Sequence, residues 1–293
     1  MFRVQKITSF EQPELEPYRT MRRSAEHVTQ GIFVAEGDKV VQRLLESRFP
    51  IVSVVLPENR LEEFRPLLEA RTEDFEVYLA ERRFLVTLTG IELFQGFLAV
   101  GKIPHTFSLD DLLAQSASPK LFATVDGLTN AENIGLLVRN CAAFGAHGLI
   151  VSPTCCSPFL RRSVRNSMGT IFELPIVELG STGVAVLPGA SSADAVRNGS
   201  VILAEALKKL RARGVRCIAA HPHTDKRTLA QADFTRDCCI IFGSEGTGIS
   251  PEVLAVCDEA VAIPMAGKVD SLNVGACAAV FLYEAQRQRQ KTF

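Results

Sequence analysis

The stretch Leu121-Phe-Ala-Thr-Val-Asp-Gly-Leu-Thr-Asn-Ala-Glu-Asn-Ile-Gly-Leu-Leu-Val-Arg139 decides the fold class. Leu121–Val125 is a compact apolar run, the pattern of a strand covered on both faces. A polar turn follows, in which Asn130 and Asn133 can cap a helix start. From Ile134 the apolar residues take helical spacing as far as Phe144, where Gly145 stops the helix. Strand, turn and helix in so short a span make half of a βαβ unit.

Reading outward finds the same alternation. His147–Val151, Arg216–Ala220, Cys238–Phe242 and Val261–Pro264 read as strands. Phe159–Met168, Val201–Arg213 (closed by Gly214), Pro251–Cys257 and Leu272–Arg289 read as helices. Ser250 is placed to cap the third of these, with Pro251 at its first position. Ser181–Ser200, rich in Gly, Ala and Ser, reads as an exposed loop. Toward the N-terminus, Asp38–Ser47 and Leu61–Leu68 are helical, while Ile51–Leu56, Phe75–Leu79 and Phe97–Val100 are strand-like. Such alternation predicts an α/β protein whose C-terminal half is a mostly parallel sheet with helices on both faces. Small polar residues around Ala114–Pro119 suggest a linker, giving domains at 1–104 and 120–293 joined by 105–119.

The 293 residues are 47% apolar and 22% charged, the balance of a folded globular chain. No uninterrupted apolar stretch approaches the length of a membrane-spanning helix, and Met1–Lys6 opens no secretory signal, so a cytoplasmic location is expected. None of the eight cysteines has zinc-site spacing, and they read as reduced thiols serving as small apolar residues. His221-Pro-His223 has no evident third ligand, so no metal site is expected. Residues 1–117 carry 14 Lys/Arg against 18 Asp/Glu, and 118–293 carry 18 against 15. Neither half is a strongly basic nucleic-acid binder, so any RNA contact falls to local patches. The candidates are Arg19, Arg22 and Arg23, then Arg82 and Arg83, then Arg161, Arg162 and Arg165.

Three segments place unusual residues at strand ends, where open α/β sheets bind ligands. In the first, Gly135 permits close backbone approach, and Arg139 on an apolar helix calls for a carboxylate partner or an anionic ligand. The second, Ile240-Ile-Phe-Gly-Ser-Glu-Gly-Thr-Gly-Ile-Ser-Pro251, runs from a buried strand into a glycine-rich turn. Its order is G-x-x-G-x-G. That is not the G-x-G-x-x-G of dinucleotide folds, and no phosphate-loop lysine follows, which argues against a dehydrogenase or a nucleotide triphosphatase. The third, Ile263-Pro-Met-Ala-Gly-Lys-Val-Asp-Ser-Leu-Asn273, brings Ser271 and Asn273 to the start of an alanine-rich helix. Ser271 is either that helix's cap or part of a polar pair with Asn273.

Together these segments resemble the three signature motifs of the SpoU/TrmH family of RNA 2′-O-methyltransferases, in the SPOUT superfamily. They read Asn133-Ile-Gly135-x₃-Arg139, Gly243-Ser-Glu-Gly246-x-Gly248 and Ile263-Pro-Met265-x₅-Ser271-Leu-Asn273-Val274, with Ser167-Met-Gly169 and Glu173-Leu-Pro-Ile176 between. The resemblance spans residues 121–288. Phe33-Val-Ala-Glu-Gly37 is similar to a marker of the small ribosomal-protein-like substrate-binding domain that many members carry. Two departures are visible: a long Ser181–Ser200 stretch, and Gly275-Ala276 after the third motif.

The resemblance implies a C-terminal domain with a deep trefoil knot, which pattern reading alone could not foresee. It implies S-adenosyl-L-methionine held by Gly243, Ser244, Gly246, Ile263, Met265 and Leu272. It implies catalysis by Arg139, Asn133, Glu245, Ser271 and Asn273, with Arg139 either a general base or an electrostatic stabiliser of the developing alkoxide. Arg22, Arg23, Arg161 and Arg165 become the candidate RNA-binding residues. The implied partners are RNA, ribosomal ahead of transfer, and a second copy of the chain docked through the C-terminal domain. A non-catalytic RNA-binding protein of the same fold is the alternative.

Overall fold

In the computed structural model the described residues are 1–81, 85, 97–104, 107–180, 192–222, 227–267 and 269–290. They divide into two compact units, Met1–His105 with Ser157–Glu173, and Thr106–Cys156 with Leu174–Phe293. Arg82 and Arg83, His223, and the 181–191 part of the expected loop lie outside the described residues. No helix among the described residues is long and apolar enough to cross a membrane.

The first unit is built on strands β1 (Phe2–Lys6), β2 (Ile32–Glu36), β3 (Ile51–Pro57), β4 (Phe75–Ala80) and β5 (Leu98–Lys102), in the order β1-β4-β3-β5-β2. β1 and β3 run parallel to β4, while β5 is antiparallel to both β2 and β3. Helices α1 (Glu16–Arg19), α2 (Ser24–Thr29), α3 (Asp38–Glu46) and α4 (Leu61–Glu69) complete it. α3 buries Val40, Val41, Leu44 and Leu45, the stripe read from its spacing.

The second unit opens with α5 (Leu109–Gln115), followed by β6 (Leu121–Val125), α6 (Ala131–Ala143) and β7 (Gly148–Val151). The chain then passes through α7 (Arg161–Asn166), which belongs to the first unit. It returns for β8 (Ile176–Glu178), α8 (Ser192–Ala212), β9 (Arg216–Ala220), β10 (Cys238–Phe242), α9 (Pro251–Leu254), β11 (Glu259–Val261) and α10 (Val274–Arg289). The six strands form an all-parallel sheet ordered β11-β9-β10-β6-β7-β8. The chain walks outward from β6 through β7 to β8, crosses to the far side for β9, then lays β10 between β9 and β6. That reversal puts a switch point beside β6 and β10, the usual place for a ligand crevice.

Local chemistry explains the boundaries. Asn130 caps α6 by accepting from the Glu132 N–H at 2.9 Å. Gly145, at φ +71°, ends it, with the Ala146 N–H returning to the Cys141 carbonyl. α8 closes the same way at Gly214 (φ +82°), with the Val215 N–H on the Leu210 carbonyl.

Two expectations are corrected. Residues 105–119 are not a bare linker: a capping box between Ser108 and Asp111 starts α5, which buries Leu112 and Leu113 in the second unit's core. Of the expected Ser181–Ser200 loop, residues from Ser192 onward are the first turns of α8. Gly199 there is a packing residue rather than a hinge, since a Cβ would stand 2.6 Å from Thr154 Cγ2. Small residues chosen for close approach mimic loop composition.

Residues 157–173 join the first unit through aromatic packing and charge. Phe33 lies 5.9 Å from Phe159 and 5.6 Å from Phe172, ring centre to ring centre. The Glu36 carboxylate, 3% exposed, accepts from Arg161 at 2.7 Å and from Arg165 at 3.5 Å. Arg43 donates to the Met168 carbonyl at 2.9 Å.

Candidate functional site

Strands β9, β10 and β11 end on one cleft of about 280 Å³. Gly243, Ser244, Gly246, Ile263, Met265 and Leu272, chosen from sequence, all line it, as do Glu245 and Ser271. Ala220, His221 and Pro222 add the β9 end, Asp270 the rim, and Val274, Cys277 and Phe281 the side of α10.

The glycine-rich segment is a pinched hairpin. The Ser244 N–H donates to the Gly248 carbonyl and the Gly248 N–H to the Ser244 carbonyl, each at 3.0 Å. Inside the pinch, the Ser244 hydroxyl meets the Thr247 hydroxyl at 2.7 Å and accepts from the Thr247 N–H at 3.1 Å. Gly243 is required at the neck, because a Cβ would fall 2.2 Å from the Gly248 carbonyl carbon. Bare backbone therefore forms the cleft wall beyond β10, with room for a flat group against it.

Asn273, not Ser271, caps α10: its side-chain oxygen accepts from the Gly275 N–H at 2.9 Å. Its amide donates to Asn133 Oδ1 at 3.1 Å and to Glu245 Oε1. One side chain thus ties the start of α6, the glycine-rich hairpin and the start of α10 together. An Asn can do so because it presents an acceptor and two donors at one point. Ser271 is exposed on the cleft rim.

Arg139 departs from expectation. It is exposed on the outer face of α6, beside exposed Leu136, with no ion-pair partner among the described residues. The buried side of α6 is Asn133, Ile134, Leu137, Val138 and Cys141. A helix of this length buries one side only, so apolar neighbours in sequence did not place Arg139 inside. Glu245, a possible partner for it, is engaged by Asn273 instead.

The basic residues sort by burial. Arg22 and Arg23 are exposed on the first unit, and Arg23 comes within 4.0 Å of Glu26. Arg161, with its side chain 16% exposed, is taken up by Glu36, while Arg165 keeps half its surface open. All eight cysteines are free. Burial pushes the Cys277 thiol, at the cleft, up to about 11.

Asp126, the polar residue that ends β6, was passed over in the sequence. It is 3% exposed and accepts from the Ser250 N–H at 2.9 Å and the Ser250 hydroxyl at 2.7 Å. The available signal was a carboxylate closing an apolar strand at its carboxyl end.

The SpoU rRNA Methylase family model matches residues 120–188 and 189–283, more than half of the chain. An uncharacterized tRNA/rRNA methyltransferase of Mycobacterium tuberculosis is 29% identical over 292 residues, covering 97% of this chain and 92% of the relative. Among solved structures, the SpoU methyltransferase AviRb from Streptomyces viridochromogenes is similar with a TM-score of 0.74 at 27% identity, covering 94% of this chain and 96% of AviRb. AviRb has also been solved in complex with the cofactor AdoMet; that structure is similar at a TM-score of 0.73 and 26% identity, covering 93% and 98% of the two chains. The second and third motifs line one cleft at the strand ends of a parallel sheet, Asn133 ties the first motif to them through Asn273, and the chain is a member of the SpoU rRNA methylase family of RNA methyltransferases.

Proposed function

We propose that the protein transfers a methyl group from S-adenosyl-L-methionine to a ribose 2′-hydroxyl of structured RNA, ribosomal RNA ahead of transfer RNA. The observation that carries this reading is the cleft beyond β9, β10 and β11, lined by all six residues expected to hold the methyl donor. Its chemistry fits: the backbone of Gly243–Gly248 offers amide donors and carbonyls, and Ile263, Met265, Leu272 and Phe281 offer apolar walls. AviRb, similar over nearly its whole length, binds AdoMet.

When bound, S-adenosyl-L-methionine supplies an electrophilic methyl group on its sulfonium. The protein's own contribution is orientation, because in-line displacement gains most from fixed geometry. Asn273 holds Glu245 at the cleft, where its carboxylate can accept the proton of an attacking hydroxyl. A guanidinium is a cation with donors and no acceptor, so Arg139 acts on a phosphate or on the developing alkoxide rather than as a base. Its exposure on α6 suits contact with a large substrate. Exposed Arg22, Arg23 and the open half of Arg165 serve phosphate contacts on the first unit, while Arg161 is committed to Glu36.

Three further elements belong to this reading. The end of the chain threads a trefoil knot, as the insertion of β10 between β9 and β6 and the return of Leu272–Val274 to the glycine-rich hairpin suggest. The protein pairs with a second copy through Leu136, Val280 and Tyr283, large apolar residues left exposed on α6 and α10. It works in the cytoplasm, which eight cysteines without a disulfide support.

Incubation with methyl-labelled S-adenosyl-L-methionine and undermethylated ribosomal or transfer RNA tests the reading. Label in alkali-resistant dinucleotides from ribosomal RNA is the expected result. Such label from transfer RNA alone would move the substrate. Cofactor binding with label in neither RNA would overturn the assignment of these two substrates, and no cofactor binding would favour a non-catalytic RNA-binding protein.

A further inference from the structure

The Ser244–Gly248 bonds close the glycine-rich hairpin on itself but do not fix it against the neighbouring strand β6, and its glycines carry no side chains that could. Both ends meet Asp126. At the start, the Asp126 backbone N–H donates to the Phe242 carbonyl at 2.9 Å, extending the β6–β10 ladder to the last residue before Gly243. At the finish, Asp126 Oδ2 accepts from both the backbone N–H and the hydroxyl of Ser250, the residue after Ile249. Ser250 occupies the cap position of α9 but spends its hydroxyl on Asp126 instead of on the helix.

The other carboxylate oxygen is anchored from below. The Thr154 hydroxyl donates to Asp126 Oδ1 at 3.4 Å and accepts from the Gly127 N–H at 3.0 Å, while Ser152 Oγ lies 2.8 Å from it. Gly127 itself sits against Ser244, whose Cβ would be 3.6 Å from any added methyl. The carboxylate is thus buried and shared among neutral donors, and among the described residues it makes no ion pair. Charge-assisted bonds to backbone and hydroxyl donors are the strong kind, and they fix position at one point.

We infer that Asp126 is the positioning residue for the methyl-donor cleft: it clasps both ends of the Gly243–Ile249 hairpin and so sets donor affinity without touching the donor. Asp126 does not line the cleft. The inference rests on the reading of that cleft as the S-adenosyl-L-methionine site.

The test compares Asp126→Asn and Ser250→Ala with the wild-type chain, measuring S-adenosyl-L-methionine binding by calorimetry and steady-state methylation. Asp126→Asn keeps the shape but loses the charge and one acceptor, so the dissociation constant and the KM for S-adenosyl-L-methionine should rise about tenfold or more. kcat at saturating donor should stay within about threefold, because the reacting groups are untouched. Ser250→Ala keeps its backbone donor and should have a smaller effect. The double variant should fall short of the sum of the two, since both act on one bond. Thermal melts confirm that each variant is folded at the assay temperature. A folded Asp126→Asn variant with unchanged donor affinity, or with kcat lowered and affinity kept, would overturn the inference alone. A wild-type chain that binds no S-adenosyl-L-methionine would overturn the cleft assignment and the inference with it.

Discussion

Replacing Gly243 by alanine puts a methyl where backbone already stands. The new Cβ would lie 2.2 Å from the Gly248 carbonyl carbon, 2.3 Å from the Ile249 nitrogen and 2.4 Å from the Gly248 oxygen. Those atoms cannot swing aside as a side chain could, so the neck itself must spread. Overpacking of this kind costs about 1–3 kcal/mol, and collision with three backbone atoms puts it near the top of that range. Spreading strains the paired 3.0 Å bonds between Ser244 and Gly248. Glu245–Gly248 are exposed, so the free protein can relax by opening the hairpin. The cost then falls on binding, which must close it. At 1.4 kcal/mol per factor of ten, about 3 kcal/mol is roughly a hundredfold loss of affinity for S-adenosyl-L-methionine. Calorimetric titration measures it, with thermal denaturation alongside to show that the fold survives. A folded Gly243→Ala variant that binds S-adenosyl-L-methionine as tightly as the wild-type chain would refute the reasoning.

Three other outcomes are expected. Arg139→Ala should lower methylation by at least about a hundredfold, as loss of a transition-state charge partner does, while donor binding stays close to wild type; a rate close to wild type would remove Arg139 from the mechanism. Arg289→Ala should destabilise the second unit by about 3 kcal/mol in urea, since its guanidinium holds the carbonyls of Phe234, Pro119, Lys120 and Arg236 against the end of α10; a loss below about 1 kcal/mol would show that water replaces it. Stability should also decline on the alkaline side, because burial lifts Cys156, Cys238 and Cys277 to about 11 and Cys141, Cys155 and Cys257 to about 12. A thiol that holds its proton more tightly when folded favours the fold fully below its unfolded pKa, about 8.5, and withdraws that favour as the pH climbs toward 11–12. Melting temperatures at pH 7.5, 9 and 10.5 should fall in that order, and a flat profile would contradict the assignment.

Much of the second unit was legible in the sequence. Leu121–Val125, Arg216–Ala220 and Cys238–Phe242 are strands with the bounds their apolar runs suggested. All three rest on local patterning, and a buried strand has to be apolar wherever its neighbours come from. The cleft-lining residues were legible through the motifs that resemble those of the SpoU/TrmH family, while the glycine pattern alone marked only the Gly243–Gly248 turn. Other features were not. The start of α8 was hidden because Gly199 serves a contact with Thr154, far away in sequence. Arg139 on its apolar helix was expected to need a carboxylate partner or an anionic ligand, yet which side of α6 is covered depends on where the sheet and α10 lie. Ser271 was a candidate cap until Asn273 was seen to hold Gly275, Asn133 and Glu245 at once.

By itself, then, the sequence determined the alternating α/β architecture, the strands β6, β7, β9 and β10 of the parallel sheet, and the residue types of the cleft, whereas β8 went unread and the last strand was expected at 261–264 instead of Glu259–Val261. The architecture and strands follow from short-range periodicity, and the cleft residues from motifs that resemble those of the SpoU/TrmH family. Tertiary structure alone decided strand order, which face of each helix is covered, and the bonds that join Asp126 to Ser250 across 124 positions and Asn133 to Asn273 across 140. Such contacts pair side chains that no local pattern links, and they exist only once the sheet has brought its strand ends together.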